Sequence, residues 1–222
     1  MFLFYNEYRL KRKLDNVLQM ARKFIQKSDI KDVRKNPVYS LIRAMSNYQL
    51  YDIVRELCEN EEVPFVDSIL KEIGMDFSSS YNHDNSKEGL EEKNIYIDLS
   101  RDAVLVCAWD QERLVDALLN IGEDVGNSFK YDEINHRTIY IYPIGLTIVY
   151  NGNHSILTGI LKGEGTIKTN QTYDFASTYE YMYFDGIYFR NKKDNKVLYK
   201  VKRFELGALY EIGRILAENG IR

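Results

Sequence analysis

The chain has 222 residues, of which 45% are hydrophobic and 28% charged, and its formal net charge is −3. This composition is typical of a folded globular protein, and it excludes disorder, collagen and coiled coil as descriptions of the whole chain. No apolar run approaches the length of a membrane span, and the apolar start at residues 1–5 is too short for a signal peptide. We therefore expect a cytoplasmic protein without a membrane partner.

The charges are unevenly distributed along the chain. Residues 1–36 contain ten Lys or Arg and four acids, whereas residues 52–92 contain twelve acids and three bases. Residues 93–186 are again acidic, with thirteen acids and seven bases, and residues 187–222 hold nine bases and four acids. The basic ends either pack against each other or form a patch for nucleic acid, although solvated helix faces are the more common explanation of such runs.

The two cysteines do not indicate a disulfide framework or a zinc site, because two thiols are too few for either. Cys58 and Cys107 both lie in apolar surroundings. We expect both to be buried, reduced thiols.

The first third of the chain predicts helices. Apolar residues recur at spacings of three and four, which is the helical period. The expected helices begin near Leu10, Val38, Asn47 and Pro64. The last of them should bury Phe65 and end at Gly74. Residues 1–77 are therefore predicted to form a helical module.

A polar, weakly periodic segment at residues 78–94 follows this module and predicts a linker or a long exposed loop. Beyond it, short β-type runs alternate with helical patterns. Strands are expected at 95–97, 103–109, 138–150 (two strands around Pro143 and Gly145), 166–169 and in a C-terminal hairpin, with helices at 111–121, 156–161 and 204–217. Residues 95–222 thus predict a second domain, and the fold class is α+β with a mixed sheet and a C-terminal helix.

The segment Tyr150–Gly163 predicts a strand, a glycine-containing turn and a helix in direct succession. The first backbone amides of a helix are unsatisfied and its dipole favours an anion, so phosphates bind at such ends. Gly152 allows close approach of a ligand, and Ser155 can cap the helix or bind a phosphate oxygen. An ordinary β-to-α connection explains the same residues equally well.

The turn Gly152-Asn153-His154-Ser155, with the earlier strand and helix at 102–122, resembles the ParB/sulfiredoxin superfamily over about residues 95–170. The Asn-Gly-Asn-His-Ser sequence is similar to that of uncharacterised bacterial members. The resemblance implies a bacterial or phage protein whose turn holds nucleotide phosphates. ATP, CTP or ADP with Mg²⁺ would be the ligand, and phosphoryl transfer or hydrolysis the reaction.

Three departures from that superfamily put the activity in doubt. Asn153 stands where sulfiredoxins carry the catalytic cysteine, and Ser155 stands where ParB proteins use arginine. Asn151 stands where free-serine kinases of the superfamily carry an acidic residue. A replacement carboxylate would have to come from Asp110 or Glu112.

Asp110 follows a predicted strand and begins a predicted helix, so it can face the turn if the two strands are neighbours. A carboxylate there would hold Mg²⁺ or act as a general base, although an N-cap is the more common role for such a residue. Arg113 is a candidate phosphate ligand, because a guanidinium binds two oxygens at once. Pairing with a surface acid is the alternative for Arg113.

Two histidines and one aspartate suggest a metal site only weakly. His136 and His154 would approach each other if residues 138–150 form a hairpin, and Asp185 would be the third ligand. Their spacing matches no standard ligand pattern, and Asp185-Gly186 is explained more simply by a β-turn.

Three functions remain open from the sequence. The first is binding of a nucleotide or another phosphate-bearing small molecule at residues 152–155 with Arg113. The second is a non-catalytic regulatory or defence-associated protein that binds a protein partner. The third, which the acidic middle disfavours, is nucleic-acid binding through the basic ends, including Lys11, Arg12 and Lys13.

Overall fold

The computed structural model describes residues 2–59, 63–75 and 90–222, and it has the α+β fold that the sequence predicts. The helices are α1 (Phe2–Gln26), α2 (Val38–Cys58), α3 (Val66–Glu72), α4 (Gln111–Asn120), α5 (Asn153–Lys162) and α6 (Phe204–Glu218). The strands are β1 (Leu90–Asp98), β2 (Ala103–Leu105), β3 (Arg137–Tyr142), β4 (Leu146–Asn151), β5 (Thr166–Asp174), β6 (Met182–Phe184), β7 (Tyr188–Asn191) and β8 (Val197–Lys200). Short 3₁₀ turns cover Glu123–Val125 and Phe175–Glu180.

The larger sheet has five strands in the order β1-β5-β3-β4-β2. Strands β2 and β4 are parallel, and so are β3 and β5, while β3 runs antiparallel to β4 and β1 to β5. Because β2 and β4 are parallel neighbours, they end at the same edge of the sheet. Helices α4 and α5 follow these two strands, so both helices begin at that edge.

The smaller sheet, β6-β7-β8, continues into α6, which is buried along most of its length. The glycine of the β6–β7 turn lies against α1, because a Cβ added to Gly186 would lie 3.1 Å from the Leu10 carbonyl oxygen. The predicted turn at Asp185-Gly186 is confirmed: the Asp185 carboxylate accepts the backbone amides of Ile187 and Tyr188.

The N-terminal helices share one hydrophobic core with the larger sheet. The Tyr39 hydroxyl of α2 donates to the Gly145 carbonyl at 3.1 Å and accepts the Ala103 amide at 2.9 Å. Each bond satisfies a buried backbone group that would otherwise cost free energy. The predicted helical module is therefore packed directly on the sheet, with α2 bonded both to β2 and to the β3–β4 turn.

Three predictions about the N-terminal helices are wrong. Residues 38–58 form one helix instead of two, since neither Pro nor Gly interrupts the sequence near Asn47. Phe65 precedes α3 and is 77% exposed instead of buried. Cys58 is also exposed, because it lies at the last turn of α2, whereas Cys107 is buried as expected.

The boundaries of the strands differ from prediction at two places. Residues 90–94, expected in the linker, begin β1, while residues 78–89 lie outside the described residues. Of the run at 103–109, only residues 103–105 pair with β4, and the chain then crosses to α4. Among the described helices, none combines the length and apolar character that crossing a membrane requires.

Candidate functional site

The β4–α5 turn lies beside the β2–α4 connection and the start of β3. Gly152 precedes α5 with φ of +80°, a left-handed conformation that favours glycine. A Cβ at this position would lie 2.5 Å from Cδ2 of His136. The glycine is therefore required by packing against His136, whereas the sequence predicted that it admits a ligand.

Asn153, the first residue of α5, is buried and points at the β2–α4 connection. Its Oδ1 accepts the backbone amide of Cys107 at 2.9 Å. Desolvation raises the pKa of the buried Cys107 thiol to about 12, so this thiol stays protonated. Asn153 therefore joins the two connections, and its side chain is not directed at a ligand.

Ser155 bonds to His136, which the antiparallel pairing of β3 and β4 brings to the turn. Nε2 of His136 lies 2.9 Å from the Ser155 Oγ, and Nδ1 accepts the Asp132 amide at 3.0 Å. Because Nδ1 is an acceptor, the proton of the neutral ring is on Nε2, which donates to Ser155. The Ser155 hydroxyl in turn donates to the Gly152 carbonyl at 3.1 Å.

This direction of donation decides the chemistry of the pair. A general base would have to accept the serine proton, whereas His136 donates to the serine oxygen. Burial lowers the pKa of His136, although the nearby Asp132 carboxylate acts in the opposite direction. Ring stacking on Phe129, with centroids 5.3 Å apart, fixes the imidazole further. His136 and Ser155 therefore form a structural pair.

His154 faces the other side of the turn. Its Nε2 accepts the Asp110 amide at 3.3 Å, and its ring packs against the edge of Trp109 with centroids 4.8 Å apart. Burial lowers the pKa of His154, which keeps the ring neutral and able to accept. The imidazole thus binds the start of α4, and Trp109 covers it.

The predicted acidic and basic site residues belong to the first turn of α4. Asp110 is its N-cap, with Oδ1 accepting the Arg113 amide at 3.0 Å. The Arg113 guanidinium lies 3.7 Å from the same carboxylate and 6.0 Å from the Trp109 ring centre. Glu112 is exposed in this turn. Asp110 is engaged as a cap and Asn153, His154 and Ser155 are engaged internally, so none of these four side chains is directed at a nucleotide or at Mg²⁺.

The structure does not bring His136, His154 and Asp185 together as a metal site. The part of the chain that the structure describes contains no group of three or more His, Cys, Asp or Glu side chains able to hold a metal ion. Asp185 instead lies in the β6–β7 turn, where its carboxylate is paired with Arg190 and lies 3.9 Å from Lys11.

A polar groove lies at the opposite end of α5. It has a volume of about 660 Å³, and Asp98, Asp124, Lys162 and Glu164 contribute to its walls. Lys162 is paired with Asp124 at 2.7 Å, and Glu164 accepts the amides of Glu123 and Phe129. These charges therefore hold the loop after α4 against the end of α5.

Sequence reasoning missed the link between His136 and Ser155. The two residues are 19 positions apart, and no local pattern marks the pair. The sequence did predict the hairpin that brings them together, so the register of β3 against β4 was the missing information.

A model of one protein family matches residues 3–222. The chain belongs to DUF6710. The description of this family is a family of unknown function, so membership assigns no activity. Neither the curated proteins nor the solved structures contain a match to the chain. The ParB/sulfiredoxin resemblance therefore stays a prediction.

Proposed function

We propose that this protein is a non-catalytic interaction protein in which the β4–α5 turn has a structural role. The observation that carries the proposal is the internal use of every polar side chain in the turn. Asn153 bonds to Cys107, His154 to Asp110 and Ser155 to His136. A phosphoryl-transfer site instead needs polar groups directed at the substrate and ready to stabilise developing charge.

A regulatory or defence-associated protein that binds a protein partner fits this arrangement. Trp109 supports it, because its ring packs edge-on against His154 with centroids 4.8 Å apart and the side chain is still 54% exposed. Tryptophans that are partly exposed in the free protein are frequent anchors of interfaces. The two free thiols, Cys58 and Cys107, suit a reducing compartment, and a cytoplasmic location is part of the same proposal.

Nucleotide titration tests the proposal. ATP, CTP and ADP, each with Mg²⁺, are titrated into the protein by calorimetry, and phosphate release is measured in parallel. We expect no saturable heat and no turnover. Saturable binding that weakens in both His154→Ala and Ser155→Ala, while these variants keep the wild-type circular dichroism, would contradict the structural role.

Binding of a phosphate-bearing small molecule is the second candidate, and one observation favours it. Helix α5 has no side-chain cap, unlike α4, which Asp110 caps. Within the described part of the chain, the first-turn amides of Asn153, His154 and Ser155 have no hydrogen-bond partner. Such amides attract anions at a helix N-terminus, and Arg113 lies on the neighbouring first turn.

Inorganic phosphate distinguishes the two candidates without assuming a nucleotide. In a ¹⁵N NMR titration, a bound phosphate would shift the three first-turn amides of α5 together and saturably. An Arg113→Gln variant should then weaken the response, whereas Arg101→Gln, an exposed arginine outside the site, should not. Unchanged amide shifts would remove the phosphate candidate and leave the interaction protein.

A further inference from the structure

The charged side chains of α1 are mostly basic. From Arg9 to Lys27 the sequence contains seven Lys or Arg and a single acid, Asp15. At 3.6 residues per turn, five of the bases fall on one side of the helix, and four of these five have no ion-pair partner among the described residues. These four, which we call the α1 basic stripe, are Arg9, Arg12, Lys23 and Lys27.

The four bases of the stripe are exposed and unpaired within the described part of the chain. All four side chains are exposed, and none has an ion-pair or hydrogen-bond partner in the described ranges. Lys11 and Lys13 of the same helix differ, because they pair with Asp185 and Glu205 in the C-terminal part. Two charges of α1 therefore form ion pairs that stabilise the fold, whereas the charges of the stripe remain available to a partner.

The geometry of α1 favours a nucleic acid over a membrane as the partner. An amphipathic helix binds a lipid surface through its apolar face. In α1 that face is in the core, with Leu14 at 6%, Ala21 at 0% and Ile25 at 7% exposure. The basic stripe lies on the opposite side, so the helix presents charge without an apolar face. This suits a phosphate backbone, which is recognised by charge alone.

The length of the stripe also suits a phosphate backbone. Arg9 and Lys27 are 18 residues apart, which corresponds to about 27 Å along a helix. Phosphates of one duplex strand are spaced about 3.4 Å apart along the axis, so about eight of them span this distance. The acids that give the chain its net charge of −3 lie mainly in residues 52–186, outside α1. The segment from Arg9 to Lys27 itself, with its single acid, therefore contributes little repulsion of a polyanion.

We propose that the α1 basic stripe binds the phosphate backbone of a nucleic acid without reading its sequence. The inference goes beyond the proposed function, because it uses no residue of the β4–α5 turn. It predicts strongly salt-dependent binding, with a slope of log K against log[salt] of about −3.6 if all four bases neutralise duplex phosphates.

Fluorescence anisotropy with the full chain tests the inference. The probes are a labelled DNA duplex, an RNA duplex and a single-stranded DNA, each of arbitrary sequence, over a series of salt concentrations. We expect Arg12→Gln/Lys23→Gln to lower the affinity about tenfold and to reduce the slope by about 1.8. Glutamine keeps the helix propensity of both positions, so folding should be unaffected.

The control is Lys130→Gln/Lys168→Gln, which removes one exposed charge before β3 and one half-buried charge in β5. We expect this variant to bind like the wild type. Preference for DNA or for RNA would identify the natural source and support the proposal in either case. Equal weakening by both double variants, or absence of salt-dependent binding to all three probes, would overturn it.

Discussion

The β4–α5 turn and the outer face of α1 are both polar, but they use their polar groups in opposite ways. In the turn, Asn153, His154 and Ser155 each bond to another part of the chain. On α1, the four bases of the stripe have no partner among the described residues. The first arrangement stabilises the fold, while the second leaves charge available to a partner.

Gly152→Val should have the largest effect on stability. A β-branched residue at positive φ is strained, and its side chain would overlap His136. We expect a loss of about 3 kcal/mol in the free energy of unfolding, measured by urea denaturation. Gly163→Val is the matched control, since its φ is +68° and a Cβ there has no neighbour within 4 Å. Equal losses at both positions would show that packing on His136 is unimportant.

Asn153→Ala should have the next largest effect. The substitution removes the acceptor of the buried Cys107 amide, and an unsatisfied buried donor costs about 1–3 kcal/mol. Asn151→Ala is the comparison, because its side chain makes an exposed bond to Asn135 and should cost less than about 0.5 kcal/mol. If Asn153→Ala is as stable as Asn151→Ala, the hydrogen bond from the Cys107 amide to Asn153 does not stabilise the turn.

Acid should destabilise the turn through its two histidines. Burial lowers the pKa of His136 and of His154 below the ordinary value of 6.5, so the unfolded chain binds more protons as the pH falls. Their contribution to stability is fully present above pH 6.5 and is lost as the pH falls through the lowered values. Urea unfolding between about pH 7.5 and 5 measures this. In His136→Gln/His154→Gln the decline should be shallower, and an identical decline would refute the assignment.

The smallest effect on stability is expected on α1. Arg12→Gln/Lys23→Gln changes exposed side chains without partners, so the free energy of unfolding should stay within about 0.5 kcal/mol of the wild type. The same variant should lose nucleic-acid affinity, which separates binding from folding. A large loss of stability would mean that the stripe has a structural role, as Lys11 and Lys13 do.

Local signals predicted the secondary structure well where the chain itself sets the boundary. Pro143 and Gly145 mark the β3–β4 turn, as expected, and Gly163 ends α5 in the left-handed conformation. The prediction failed where tertiary packing decides. Phe65 fits the apolar spacing of α3 yet is exposed, and Cys58 is exposed at the end of α2.

The candidate site was predicted only in outline. The sequence located the strand, turn and helix around Gly152 and the N-cap role of Asp110, because these depend on neighbouring residues. It could not assign partners to Asn153 or Ser155. Their partners are 46 and 19 positions away, and the contacts depend on which strands are neighbours and in which register.

The sequence by itself determined the α+β class, most helices and strands, and the basic character of the first helix, because periodicity, turn residues and charge are local properties. Only the tertiary structure decided which polar groups are hydrogen-bonded or ion-paired within the fold. Hydrogen bonds of the turn join residues from three strand ends. Ion pairs engage Lys11 and Lys13, whereas the α1 basic stripe has no such pairs among the described residues. The free energy that a polar group contributes to folding depends on these distant partners. Burial and pairing therefore distinguish polar groups that stabilise the fold from polar groups that are available to a ligand.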